Sequence, residues 1–213
     1  MARKPKSSKR QAANKEAYDK ILIVTEGKKT EPYYFDEIKN TYKISSLNIT
    51  INGDSRSAPG FVLKLAKELE KKEAKQGSPF DKVYVVIDRD DHTCFDKTIE
   101  EISRMKGGQF IAVPSIPCFE YWLLLHLKHT ARCYKSIVGN TAANQVLSEL
   151  KAFPLMADYE KGCTGVFGKL FNNLEVAKKR AAKINQQTRE IGEECPTTEM
   201  HELVNYLQNL KRA

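Results

Sequence analysis

The sequence predicts an α/β fold, a mostly parallel sheet flanked by helices with a helical C-terminal part, and three observations predict it. Ile21-Leu22-Ile23-Val24 and Val83-Tyr84-Val85-Val86-Ile87 are continuous β-branched and aliphatic runs, the pattern of strands buried on both faces. From residue 20 to 129 such runs alternate with amphipathic stretches of helical period, as in a parallel sheet with helical crossovers. Beyond residue 135 the strand signals stop and only helical patterns follow. The division expected is a tail over 1–17, an α/β domain over 18–135 and a helical extension over 136–213 packed on it.

The elements follow in order. After the first strand, Thr30 to Tyr42 reads as a helix: Thr30 is placed to cap it, Pro32 is tolerated in a first turn, and Tyr34, Ile38 and Tyr42 recur on one face. Leu47 to Ile51 alternates as an edge-ward strand, and the run from Asn52 to Gly60 has loop composition. Phe61 to Gln76 is an amphipathic helix with Phe61, Leu65 and Leu69 on its apolar face, stopped by Gly77-Ser78-Pro79. Lys82 to Asp88 is the third strand, Thr93 to Met105 a helix, and Gln109 to Val113 a fourth strand ended by Pro114. Pro117 to His129 is a heavily apolar helix expected to be half-buried. Ala142–Ala152, Val166–Asn185 and Thr197–Leu210 complete the helices, the last capped at Thr198.

A hydrophobic fraction of 41% suffices for a core, and a charged fraction of 29% is that of a soluble chain. No window approaches 18 uncharged apolar residues and the N-terminus has no apolar run, so neither a membrane span nor secretion is expected, and the localisation expected is cytoplasmic. Five widely spaced cysteines without a Cys-x-x-Cys pair predict reduced thiols, neither a disulfide framework nor a zinc site. The net charge of +8 is mostly a tail: the first fifteen residues hold Arg3, Lys4, Lys6, Lys9, Arg10 and Lys15 and no acid, leaving +2 for the rest. Such a tail either holds nucleic-acid phosphates or is simply solvated.

Both principal strands stop at carboxylates. Glu26 follows the first; Asp88, Asp90 and Asp91 end the third. Open α/β sheets bind ligands beyond the carboxyl ends of their strands. If the two strands are neighbours, Glu26, Asp88 and Asp90 converge, and their mutual repulsion makes Mg²⁺, an oxygen-seeking cation, the natural partner. A structural reading stands beside this one. Glu26 can be a turn residue next to Gly27, and the aspartates a solvated turn or helix cap, with Asp91 complementing a helix dipole.

These residues carry a resemblance. A strand ending in Glu-Gly, followed about sixty residues later by one ending in Asp-x-Asp, resembles the TOPRIM domain of topoisomerases, primases and OLD-type nucleases. More specifically, Thr25-Glu26-Gly27-Lys28-Lys29-Thr30-Glu31-Pro32-Tyr33-Tyr34-Phe35 and Ser115-Ile116-Pro117-Cys118-Phe119-Glu120-Tyr121-Trp122-Leu123-Leu124-Leu125-His126 resemble the RloB-like family, from about Lys20 to the C-terminus. The resemblance implies a TOPRIM-like (Rossmannoid) sheet and a role in bacterial antiviral defence of the abortive-infection kind. It also implies an ATPase partner that this chain does not contain. Carried over residue by residue, it implies Asp88 and Asp90 as ligands of Mg²⁺ or Mn²⁺ and Glu26 as base or ligand. Ile116 and Cys195 depart from the pattern expected of the family and put substrate contacts nearby in doubt.

The remaining candidates each have two readings. Lys28 and Lys29, at the mouth of the presumed site, can grip a scissile phosphate or be surface charge. His92, just past the aspartates, is placed to assist at the substrate as a general acid. Glu120 stands where helix N-termini favour acids, yet it follows the fourth strand's carboxyl end and belongs to the family block, so it joins the catalytic candidates. His126, His129 and Cys118 read more simply as packing or surface groups, and Arg89 as a structural ion pair. No Gly-x-Ser-x-Gly or P-loop offers another chemistry. The function expected is Mg²⁺-dependent phosphodiester hydrolysis of DNA or RNA, tRNA included. The rivals are a catalytically silent nucleic-acid-binding or regulatory subunit and a phosphatase or phosphotransferase.

Overall fold

The computed structural model describes residues 19–45, 49–53, 58–90 and 92–210. The basic tail, Leu47 and Asp91 lie outside the described residues. Among those described, the order is β1 (Ile21–Thr25), α1 (Thr30–Thr41), β2 (Ile49–Asn52), α2 (Pro59–Lys75), β3 (Lys82–Asp88), α3 (Phe95–Ser103), β4 (Phe110–Ile116) and α4 (Phe119–Leu127). Then come α5 (Ala142–Lys151), α6 (Val166–Leu170), α7 (Leu174–Glu190), β5 (Thr197–Thr198) and α8 (Met200–Asn209). The sheet runs β2-β1-β3-β4-β5, parallel from β1 to β4, with β5 antiparallel at the edge.

The strand period sorts the core into two layers. Ile21, Ile23, Tyr84, Val86 and Val113 face α1, α4 and the C-terminal helices, forming one core with Tyr34, Trp122, Ala177, Ile184 and Val204. Leu22, Val24, Val83, Val85 and Ile87 face the other way, onto Val62, Leu63 and Ala66 of α2 and Phe95 and Ile102 of α3. The fold is thus α/β, a mostly parallel sheet between helical layers, and the C-terminal helices share the larger core.

Several elements differ from the sequence reading. The helix expected to be half-buried, α4, is buried at every residue from Phe119 to His126, as suits a helix that is apolar all round. It lies between the sheet and α5 and α7. On α2 the inward residues are Val62, Leu63 and Ala66, while Phe61 is exposed. Pro114 does not end β4. It stays in register with Ile87 and turns its carbonyl to the Glu199 amide, on the side where the two-residue β5 needs no donor from position 114. Thr30 does not cap α1; its hydroxyl accepts the Gly162 N–H at 2.9 Å. The stretch read as one helix from Val166 breaks at a 3₁₀ turn, Phe171–Asn173, into α6 and α7. Thr197–Thr198, read as the start of the last helix, forms β5, and Thr198 then offers its hydroxyl to the Met200 N–H.

The cysteine reading is also corrected. Cys133 and Cys195, 62 residues apart, are joined in a disulfide, with Cys94, Cys118 and Cys163 free. Spacing carried no signal, because the pair is assembled by the tertiary fold, one cysteine in the segment after α4 and the other just before β5. Three of the five cysteines are therefore expected to titrate with a thiol reagent in denatured, unreduced protein. Cys133→Ser should cost about 2–4 kcal/mol of stability. Five reactive thiols, with no change of melting temperature on reduction, would overturn the pairing.

Candidate functional site

The chain order makes the site's position predictable. From β1 the chain passes to β2 on one side and, through α2, to β3 on the other, with α1 and α2 on opposite faces. The gap between the carboxyl ends of β1 and β3 is the switch point, where open sheets leave a crevice. Thr25 pairs with Val86, so Glu26 and Asp88 leave the sheet at the same edge, and the Asp88 N–H points to Glu26 Oε2 at 3.4 Å. Beyond β3 the backbone continues along β4, Arg89 N–H donating to the Ser115 carbonyl and Asp90 N–H to that of Pro117. Asp90 itself adopts φ 33°, a left-handed conformation that Asp tolerates better than most residues.

Five carboxylates gather here. Asp88 is buried, and its Oδ2 accepts the Phe119 N–H at 3.0 Å, at the positive end of α4. Glu120, one residue on, is buried too; its Oε1 accepts the Tyr159 hydroxyl at 3.2 Å and stands 3.3 Å from Lys161 Nζ. Glu26 meets His92 Nε2 through Oε1 at 2.9 Å. Glu31, in the first turn of α1, is buried with Oε2 lacking a hydrogen-bond partner. Gly27 leaves room for this carboxyl: a Cβ there would stand 2.1 Å from that oxygen and push the Glu31 side chain aside.

Desolvation and crowding raise the proton affinity of three of these carboxyls. Burial, then Glu120 and Glu26, push the Glu31 carboxyl up to about 7, despite its own backbone amide and Lys161. Burial, Glu31 and Glu120 raise Asp88 well above the carboxylate range, against the Phe119 amide. Burial raises Asp90, with Lys161 opposing and Glu26 and Glu120 adding to it. Burial alone would lower the Lys161 ammonium, but Glu120, Cys118 and Asp90 outweigh it and raise it.

By type these residues fit a hard divalent cation: all five acids offer oxygen, and one buried oxygen has no partner. Their side chains are not arrayed as a finished ligand set; among the described residues no three His, Cys, Asp or Glu groups stand as metal ligands would. Glu26 is turned to His92 and Glu120 to Lys161 and Tyr159. For Glu120 to donate to a cation it would have to turn from Lys161.

The other candidates are placed as follows. Lys28 and Lys29 are exposed at the turn after β1. The Lys29 stem lies against Gly162, where an added Cβ would be 3.1 Å from the Lys29 Cβ. Arg89 faces away, pairing with Glu194 at 2.5 Å and Asp96 at 3.1 Å. His126 is a core group: Nδ1 meets the Trp122 carbonyl at 3.0 Å, and burial lowers it to about 4. His129 is exposed and Cys118 buried. The sequence reading missed Glu31, Tyr159 and Lys161. Glu31 stands in the first turn of the helix after β1, where an acid already has a structural explanation; Tyr159 and Lys161 lie in a loop without periodic pattern.

Fold and site together define an α/β protein with an acidic cluster at the switch point of a mostly parallel sheet. The family model for RloB-like proteins matches residues 21–207, and the chain belongs to that family. No curated protein and no solved structure matches it. Among the described residues no helix is long and apolar enough to cross a membrane.

Proposed function

We propose that this RloB-like protein is a divalent-metal-dependent nuclease that hydrolyses phosphodiesters in DNA or RNA, acting in bacterial antiviral defence under an ATPase partner. The observation that carries the reading is the gathering of Glu26, Glu31, Asp88, Asp90 and Glu120 at one sheet edge, with Glu31, Asp88 and Asp90 protonated more readily than ordinary carboxylates. Such a cluster is costly unless a cation enters it. Bound Mg²⁺ or Mn²⁺ supplies a Lewis acid and lowers the pKa of water. Asp88 and Asp90 hold the cation by their oxygens, with Glu31 and Glu120 adding donors. Glu26 accepts the proton of the attacking water, and His92, bonded to Glu26, keeps that carboxylate oriented and can return a proton to the leaving oxygen. Lys28 and Lys29 hold the phosphate backbone at the rim.

The test is cleavage of end-labelled DNA and RNA pools, tRNA among them, by purified protein in Mg²⁺, Mn²⁺ or chelator, alone and with its ATPase partner. Cleavage in either metal that stops with chelator is expected. A second reading, a silent nucleic-acid-binding or regulatory subunit, is favoured by one observation: Glu26 and Glu120 already have protein partners, His92 and Lys161. Binding without cleavage under every condition would install that reading instead.

A further inference from the structure

We propose that Lys161 is a phosphate-binding residue that exchanges partners, pairing with Glu120 in the metal-free site and with a non-bridging oxygen of the substrate phosphodiester once a cation neutralises Glu120. The nature of the ligand rests on the nuclease reading; the geometry of the lysine does not. Lys161 lies in a loop that the helical part of the chain lends to the α/β site, and the fold fixes that loop from three directions. Tyr159 donates its hydroxyl to Glu120, Gly162 N–H donates to the Thr30 hydroxyl, and the Gly165, Phe167 and Gly168 amides donate to Glu37 of α1. These bonds set Lys161 over the carboxylates.

The pair it makes is asymmetric. The Lys161 side chain is 56% exposed, and that of Glu120 only 3%. The ammonium can swing outward while the carboxylate cannot follow. With Glu120 buried, the pair has a structural share, since removing Lys161 leaves an uncompensated charge; the exposure of the ammonium is what that share does not require. The charge pattern points outward as well. Gly162 rests against the stem of Lys29, which puts Lys29 beside the loop that carries Lys161, at the rim of the acidic cluster. A cation in that cluster removes the partner of Lys161, and the anionic oxygens of a phosphodiester entering from solvent are the next acceptors it meets.

The experiment measures binding of a labelled single-stranded oligonucleotide, in DNA and RNA versions, across a salt series in Ca²⁺, with cleavage followed separately in Mg²⁺. Lys161→Met should weaken binding about tenfold and make the log–log salt slope shallower by about 0.7; Lys161→Arg should retain most of both. A purely structural counter-ion would be dispensable once Glu120 is neutral. The Lys161→Met/Glu120→Gln double variant should therefore melt like the parent yet still bind weakly, and it keeps the test valid if Lys161→Met alone folds poorly. An unchanged salt slope, recovery of binding in the double variant, or a parent that binds neither oligonucleotide would overturn the proposal. Loss of binding at Lys161→Met in a parent that never cleaves would sink the nuclease reading and leave this assignment standing.

Discussion

Asp88→Asn is expected to lower Mg²⁺-dependent cleavage by a factor of about 10²–10³ while making the metal-free protein more stable. Asn keeps an oxygen to accept the Phe119 N–H, so the junction between β3 and α4 survives. What disappears is a carboxyl whose proton affinity burial, Glu31 and Glu120 raise. Removing it should raise the melting temperature of the metal-free protein at pH 8, since a buried, crowded carboxyl is replaced by a neutral amide. Glu26→Gln separates affinity from chemistry. If Asp88 acts by holding the cation, high Mg²⁺ should recover part of the Asp88→Asn activity. The Glu26→Gln variant should stay inactive at saturating metal, because the proton acceptor itself is gone. Both variants cleaving like the parent would remove the acidic cluster from the chemistry.

The fold was legible where the pattern is backbone-deep. The β3 run from Lys82 to Asp88 coincides with its strand, because five consecutive β-branched and aromatic residues, Val83 to Ile87, leave few alternatives. β5 was not legible. Two residues carry no period, and Thr197–Thr198 becomes a strand only because Ser115 and Ile116 offer it an edge. Pro114 misled for a related reason: a proline ends a strand only where its missing N–H has a waiting acceptor. The Cys133–Cys195 pair was equally hidden, since spacing registers neighbours in the chain and these meet across the fold.

The site was legible in its floor and hidden in its cover. Glu26 and Asp88 were visible because carboxylates at the ends of buried strands stand out from the apolar runs before them. Glu31 was masked by its position: an acid in a first helical turn already has an explanation in the helix dipole. Its burial and unpartnered oxygen become apparent only when Gly27 is seen pressed against it. Tyr159 and Lys161 approach the cluster from about forty residues beyond Glu120, through a loop bonded to Glu120 of α4 and Thr30 of α1. No local pattern encodes such a return. The exposed Phe61 shows the converse error, an apolar residue at helical spacing that the sheet never covers.

The metal-free protein should lose stability as pH rises from about 4.5 to about 7, and Mg²⁺ should return it. The direction follows from Glu31. Its carboxyl binds a proton more tightly in the folded chain, about 7, than at the ordinary value of 4.5, so the folded state holds more protons across that window. Stability is then full below the lower value, falls through the window and levels off above the higher one. The two-and-a-half-unit difference corresponds to about 3 kcal/mol, a drop of roughly 6–12 °C in Tm. Asp88 and Asp90 are raised as well and act in the same sense. Glu31→Gln cannot titrate and should make the slope shallower, leaving the share of Asp88 and Asp90. Mg²⁺ at a hundred times its dissociation constant should add about 2.7 kcal/mol at pH 7.5, and far less at pH 4.5, where protons occupy the oxygens the cation needs. Melting curves from pH 4 to 8, with chelator and with Mg²⁺, decide the matter. A parent whose chelator curve is flat, or whose Mg²⁺ gain is the same at both ends, would mean that Glu31 is not a carboxylate waiting for a cation.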